Sequence, residues 1–156
     1  MEYVLSVGTN IGDRKENLTR LVKAFDLIPD TKVVKVSSVY QTAPVGYLDQ
    51  QDFYNIALVV QSGFNPEQML GICMGIEAGF GRERGIKNGP RIIDADLIFA
   101  EDTVVDTPHL VLPHPRYHQR RFVLEPLMEL FENGVAYGFD FNEFYENSKN
   151  QTVEKI

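Results

Sequence analysis

Residues 2–7 (EYVLSV) form a short, mostly apolar, β-rich run that ends at Gly8, in the loop GTNIGDR, and this predicts a first strand. Asp13 is placed to cap a helix in which Leu18, Leu21, Val22, Phe25 and Ile28 recur at the helical period, with Pro29 and Asp30 stopping it. Strand character returns over TKVVKVSSVY (31–40) and again over FYNIALVVQS (53–62). The turn-rich loop QTAPVGYLDQQD lies between, so the two read as an antiparallel pair. Asn65 and Pro66 supply the cap and first residue of a second helix, whose apolar stripe Met69, Leu70, Ile72, Cys73 and Ile76 ends near Gly79. The charged loop GRERGIKNGPR then leads into another apolar strand. Residues 103–112 predict a short strand or two, RYHQRRFVLEPLMEL predicts short helices broken at Pro126, and the chain from about 133 reads as a polar, weakly patterned tail. The order β-α-β-β-α-β predicts an α+β fold of the ferredoxin-like split βαβ kind. In it an antiparallel sheet carries its helices on one face and leaves the other to ligands and long loops.

A chain of 156 residues with 44% hydrophobic content is long enough for one well-buried core, and 1–156 is expected to be a single domain. A net charge of -7 argues against general affinity for nucleic acid or an anionic membrane, since an acidic surface repels phosphate backbones. The cations are nevertheless uneven. Arg82, Arg84, Lys87 and Arg91 precede the last long strand, and His114, Arg116, His118, Arg120 and Arg121 follow it. A local positive field in an acidic protein suits a small anionic ligand, although charge runs are more often solvated faces. Cys73 is alone, which excludes an intrachain disulfide and agrees with a reducing compartment. The start MEYVLSVG has no basic region before a long apolar one, and no apolar run approaches the roughly 20 residues that span a bilayer. A soluble cytoplasmic protein is expected, without nucleic-acid or membrane partners.

The segment GPRIIDADLIFA carries the most pointed chemistry. Residues two apart on a strand share a face, so the carboxylates of Asp94 and Asp96 would project from one side about 6.6 Å apart along the chain. Like charges that close repel unless something positive sits between them, and a carboxylate pair at a frayed strand end is the plain alternative. No GxxxxGK[ST], GxGxxG after the first strand, GxSxG, HExxH or CxxC is present, so phosphate binding would rely on side chains. Paired carboxylates suit Mg²⁺, which keeps several waters and takes substrate phosphate oxygens. Two such ions could be bridged by Asp94 and Asp96, with neighbouring guanidinium forks as counter-charges to phosphate. Carboxylates, metal and arginines together suggest phosphoryl transfer. Phe53 and Asn55, also two apart on a strand, share a face on which one could stack on a flat heterocycle and the other read its amide edge, while Tyr54 points away.

The stretches GPRIIDADLIF, IEAGFGRER, LPHPRYHQRRFVLEPL, SVGTNIGDR and VYQTAPVGYLDQQDFYNIAL, in their order along residues 3 to 130, resemble the 6-hydroxymethyl-7,8-dihydropterin pyrophosphokinases of folate biosynthesis. The resemblance implies a ferredoxin-like enzyme that moves the β,γ-pyrophosphoryl unit of ATP onto the pterin hydroxymethyl group, with AMP leaving. It implies that Asp94 and Asp96 hold two Mg²⁺ ions on the triphosphate and that Arg82 and Arg91 are catalytic arginines. Glu77, Arg84, His114 and Arg120 match positions near the nucleotide. Thr42, Ala43, Pro44 and Val45 fall on the pterin-binding loop, Asn55 matches the residue that hydrogen-bonds the pterin, and Phe53 and Phe122 match the aromatic pair that sandwiches its ring. Arg116 and Arg121 are read as surface charges without an assigned role. A non-enzymatic module on the same fold is the alternative. An RNA reader of that kind would need an RNP1-like strand and a basic face, and neither is found. A structural metal-binding domain would explain the aspartates but leave the arginines without a purpose.

Overall fold

The computed structural model describes residues 1–44, 49–81 and 92–156. Strand β1 (Glu2–Thr9) leads to helix α1 (Arg14–Leu27), then β2 (Thr31–Val36), β3 (Tyr40–Thr42), β4 (Phe53–Ser62), α2 (Pro66–Gly79) and β5 (Asp94–Ala100). A small hairpin of β6 (Val105–Asp106) and β7 (Val111–Leu112) follows, then a 3-10 turn at Tyr117–Gln119 and helix α3 (Arg121–Leu130). The hairpin β8 (Val135–Ala136) and β9 (Phe139–Asp140), helix α4 (Asn142–Asn147) and strand β10 (Glu154–Lys155) complete the order. The main sheet runs β10-β3-β4-β1-β5, with β2 also on β4, and its pairings are antiparallel. With β2 and β3 taken as one edge, the strand order is that of the split βαβ sandwich expected from the sequence.

Local chemistry sets the elements. The Asp13 side chain accepts the Glu16 amide at 3.1 Å and so caps α1. Asn65 and Gln68 exchange two hydrogen bonds of 2.9 Å as a capping box that starts α2 with Pro66 in its first turn. The alternate residues Tyr3, Leu5 and Val7 of β1 then pack with Leu21 and Phe25 of α1 and Met69 of α2, forming one core.

Three departures from the sequence reading bear on the site. The expected strand 31–40 is divided. Val33 faces Val60 while Lys35 faces Val59, leaving Val34 as an extra residue, and one more is absorbed between Val36, opposite Leu58, and Tyr40, opposite Asn55. Across that break Ser37 keeps the ladder closed, its Oγ accepting the Ala57 amide at 2.8 Å and its own amide donating to the Ala57 carbonyl at 3.0 Å. The second departure is that α3 continues through Pro126, whose ring removes one helical hydrogen bond and crowds the preceding turn, while Val123, Leu124 and Leu127 are buried around it. Thirdly, the expected polar tail is built into the fold. Ala136 and Phe141 are fully buried in a second core with Val4, Val59 and Phe99, on the sheet face away from α1 and α2. The aromatics Phe139, Phe141, Phe144 and Tyr145 supply the apolar surface that the segment's mean polarity concealed.

Candidate active site

The far face of the sheet is covered at one end and open at the other, and the open end is where the unusual strand residues gather. Asp94 pairs with Gly8, Gly8 with Asn55, and Asn55 with Tyr40, so one cross-strand row runs carboxylate, no side chain, amide, phenol. Asp96 stands opposite Ser6 one pleat away. A β-bulge at Ile98 explains why acid and core can share a strand. Val4 pairs with Phe99 and Leu5 with Leu97, so Ile98 is inserted, and both Ile98 and Phe99 join the second core beyond the aspartates. Gly8 matters through what it lacks: a Cβ there would lie 3.0 Å from Asn55 Oδ1 and 3.7 Å from Phe53 Cδ1. Asn55 is buried, with its amide nitrogen 3.4 Å from the Tyr40 carbonyl oxygen. Tyr54 points to the helix side, where the Arg14 guanidinium lies 3.9 Å from its ring centre.

Two cavities adjoin this row. The larger, about 750 Å³, is lined by Thr42, Ala43, Pro44, Phe53, Asn55, Gly8, Asp94, Asp96, Arg120 and Phe122, and also by Ser6, Arg116, Gln119 and Gln151–Val153. The smaller, about 290 Å³, is walled by apolar Leu70, Ala95, Leu97 and Leu110 and by Cys73, Glu77, His109 and His114. Asp96 lines both. The two cavities therefore meet at a carboxylate.

Most of the residues singled out from the sequence are thus brought together. Thr42, Ala43, Pro44, Phe53, Asn55, Phe122, Asp94 and Asp96 share the larger cavity, while Glu77 and His114 face the smaller one. Arg120, expected beside a nucleotide, lines the larger cavity instead, with its guanidinium 5.6 Å from the Phe122 ring centre. Val45, Arg82, Arg84 and Arg91 lie outside the described residues. The arginines left without a role separate. Arg121 is tied into the fold by a 2.8 Å ion pair with Glu125 and by the Tyr145 ring, whereas exposed Arg116 lines the larger cavity. Ser6, Gly8 and Gln151–Val153 were missed by sequence reasoning. The strand partners Gly8 and Ser6 could have been found by pairing β1 against the aspartates; the tail residues carry no motif.

His114 illustrates how the site tunes a side chain. Its Nδ1 accepts the Arg116 amide at 3.0 Å, which leaves Nε2 as the protonated nitrogen of the neutral ring. Burial, then the nearby charges of Arg120 and Arg116, push its pKa down to about 4, against a smaller opposing pull from Asp94. At neutral pH it offers one hydrogen-bond donor and no charge. Burial, with the charge of Asp96, pushes the Cys73 thiol up to about 12, so it stays protonated and acts as a small apolar wall.

Among the described residues no cluster of three or more His, Cys, Asp or Glu side chains could enclose a metal ion. The donors at the cavity junction are two partly exposed carboxylates on one face. That set fits Mg²⁺, a hard ion that retains waters and shares its coordination with phosphate oxygens, and does not fit a closed structural metal site.

An antiparallel α+β sandwich in which Asp96 is shared by a smaller cavity and a larger, aromatic- and arginine-lined one is the architecture of an enzyme with two adjoining small-molecule cavities. The family model described as 7,8-dihydro-6-hydroxymethylpterin-pyrophosphokinase (HPPK) matches residues 4–132, and the chain belongs to this family. It is similar to the 2-amino-4-hydroxy-6-hydroxymethyldihydropteridine pyrophosphokinase of Bacillus subtilis, at 40% identity over 81% of this chain and 75% of that one. The enzyme of the same description from Methylorubrum extorquens is 36% identical over 97% of this chain and 96% of its own length. In fold it resembles the Plasmodium falciparum HPPK-DHPS structure with pteroate, at a TM-score of 0.71 and 16% identity, with 94% of this chain and 42% of that one covered. It is accordingly an ATP-dependent diphosphotransferase of folate biosynthesis, transferring pyrophosphate from ATP to 6-hydroxymethyl-7,8-dihydropterin and releasing AMP. Among the described residues no helix is long and apolar enough to cross a membrane.

Proposed function

We propose that the larger cavity receives the pterin and the smaller one the nucleoside end of ATP, with the triphosphate running past Asp96 from one to the other. The observation that carries this reading is that Asp96 lines both cavities. On the pterin side, Phe53 and Phe122 supply ring faces, Asn55 supplies an amide for the pterin's amide edge, and Thr42, Ala43 and Pro44 line the cavity beside them; the resemblance adds Val45 as a pterin contact. On the nucleotide side, neutral His114 donates from Nε2, and Glu77 accepts from a sugar or base donor.

Asp94 and Asp96 would hold two Mg²⁺ ions, which when bound neutralise the triphosphate and polarise the transferred group. The chain's own part is to set the reactants in line. The cavity junction presents the pterin hydroxymethyl oxygen to the β-phosphorus; the new O–P bond forms there while the bond from the β-phosphorus to the α,β-bridging oxygen breaks, AMP leaves with that electron pair, and the hydroxyl proton passes to solvent water. Arg82 and Arg91 stabilise the charge that gathers on the transferred and departing oxygens, Arg84 and Arg120 hold phosphate oxygens, and no strong base is required. Kinetic separation tests the assignment. Phe53→Ala should raise the pterin KM about tenfold or more and leave the ATP KM within about twofold, while His114→Ala should do the reverse. Crossed effects, with Phe53→Ala weakening ATP instead, would reverse or remove the assignment of the two cavities.

A further inference from the structure

The matched family region ends at residue 132, yet Gln151, Thr152 and Val153 line the larger cavity. Their placement follows from strand register. β10 lies against the outer edge of β3, with Glu154 opposite Gln41 and Lys155 opposite Tyr40, and the Ile156 amide continues the ladder to the Val39 carbonyl at 2.9 Å. Carried one residue back, that register sets Val153 beside Thr42, which itself pairs with Phe53. Val153, Thr42 and Phe53 therefore form a second cross-strand row on the same sheet face as Asn55, one pleat further along. Gln151 then crosses to the opposite wall. Its Oε1 accepts the Arg121 amide at 3.0 Å and its Nε2 donates to the Gln119 carbonyl at 2.8 Å. The N-terminus of α3 has no side-chain cap from Arg120, so Gln151 provides one of its missing acceptors from 30 residues away.

We infer that residues 151–153 form the third wall of the pterin cavity, with Val153 limiting its width beside Thr42 and Gln151 acting as a positioning residue that holds the Arg120–Phe122 wall at a fixed distance from the Thr42–Pro44 wall. The inference rests on the pterin occupying the larger cavity. It makes the C-terminal strand a specificity device for the known reaction, because the aromatic faces contributed by β4 and α3 can clamp a flat ring only if the two walls stay in register.

The test uses steady-state kinetics and pterin titrations on the full chain, with Phe53→Ala as the reference for the cavity itself. Val153→Trp should raise the pterin KM by more than about tenfold by narrowing the space beside Thr42. Gln151→Ala should raise it by about threefold to tenfold, in each case with the ATP KM within about twofold of the parent and an unchanged melting temperature. Val153→Ala should instead relax discrimination, improving turnover of pterins with bulkier 6-substituents relative to the natural substrate. A pterin KM unmoved by both Val153→Trp and Gln151→Ala while Phe53→Ala raises it would overturn the third wall alone. Insensitivity to Phe53→Ala as well would show that the pterin lies elsewhere. If Val153→Trp lowers the melting temperature, Gln151→Ala decides: equal losses for ATP and pterin there would mark the segment as structural support and refute its role in pterin specificity.

Discussion

Single side chains in this protein do their work through neighbours that the strand register supplies. Asp94, Asp96, Phe53 and Asn55 were legible in the sequence because two-residue spacing on a strand assigns them to one face before any fold is known. His114 was legible only by resemblance. Its state depends on an amide two residues away and on burial beside two arginines. A pH prediction follows from that state. The folded pKa, about 4, lies below the ordinary histidine value near 6.5, so the neutral ring supports the fold fully above about pH 6.5 and loses that support as pH falls toward 4. His114→Asn, which keeps an acceptor for the Arg116 amide but does not titrate, should lose less melting temperature between pH 7 and pH 5 than the parent. Equal losses would mean that His114 does not sense the burial and charges assigned to it.

At the scale of elements, the sequence shows where strands and helices lie better than how they bend. Helices α1 and α2 and strands β1, β4 and β5 follow from periodicity and caps, but the bulges at Val34 and Ile98 leave no trace in an apolar run. The break after Val36 is held from across the sheet. Glu129 of α3 accepts the Ser38 amide at 2.9 Å, the Ser38 hydroxyl at 3.2 Å and the Tyr40 hydroxyl at 2.7 Å. Burial would raise that carboxyl, yet the hydrogen bonds from Tyr40 and Ser38 bring it below its ordinary value, so its contribution is complete above about pH 4.5 and fades as pH drops through the lowered folded value. Glu129→Ala should cost about 1–3 kcal/mol of stability in urea unfolding at pH 7, because three donors lose their acceptor. It should also weaken the pterin, since Tyr40 begins the strand that carries Thr42. A stability loss below about 0.5 kcal/mol would show that the break is held by Ser37 alone.

For the whole molecule, the acidic average conceals an uneven placement of cations. The net charge of -7 coexists with Arg116 and Arg120 on the rim of a cavity floored by two aspartates. Composition suggested a small anionic ligand but could not locate it, and mean polarity hid the contribution of residues 133–156, which include buried Phe141 and cavity-lining Val153. The large architecture was readable because the β-α-β-β-α-β order admits few antiparallel arrangements. The third wall was not, because a two-residue strand has no period to detect. The proposed reaction turns on Asp96, where the two cavities meet, directing the β-phosphorus of ATP to the pterin hydroxyl. The direct measurement is a single-turnover reaction of parent and Asp96→Asn with the dihydropterin, Mg²⁺ and ATP labelled on the β-phosphate, with products separated by chromatography. The parent should place the label on the pterin with stoichiometric AMP, and Asp96→Asn should slow that transfer by at least about a thousandfold while melting as the parent does. Near-parental transfer by Asp96→Asn, or label appearing in ADP, would refute the role of Asp96 at the cavity junction.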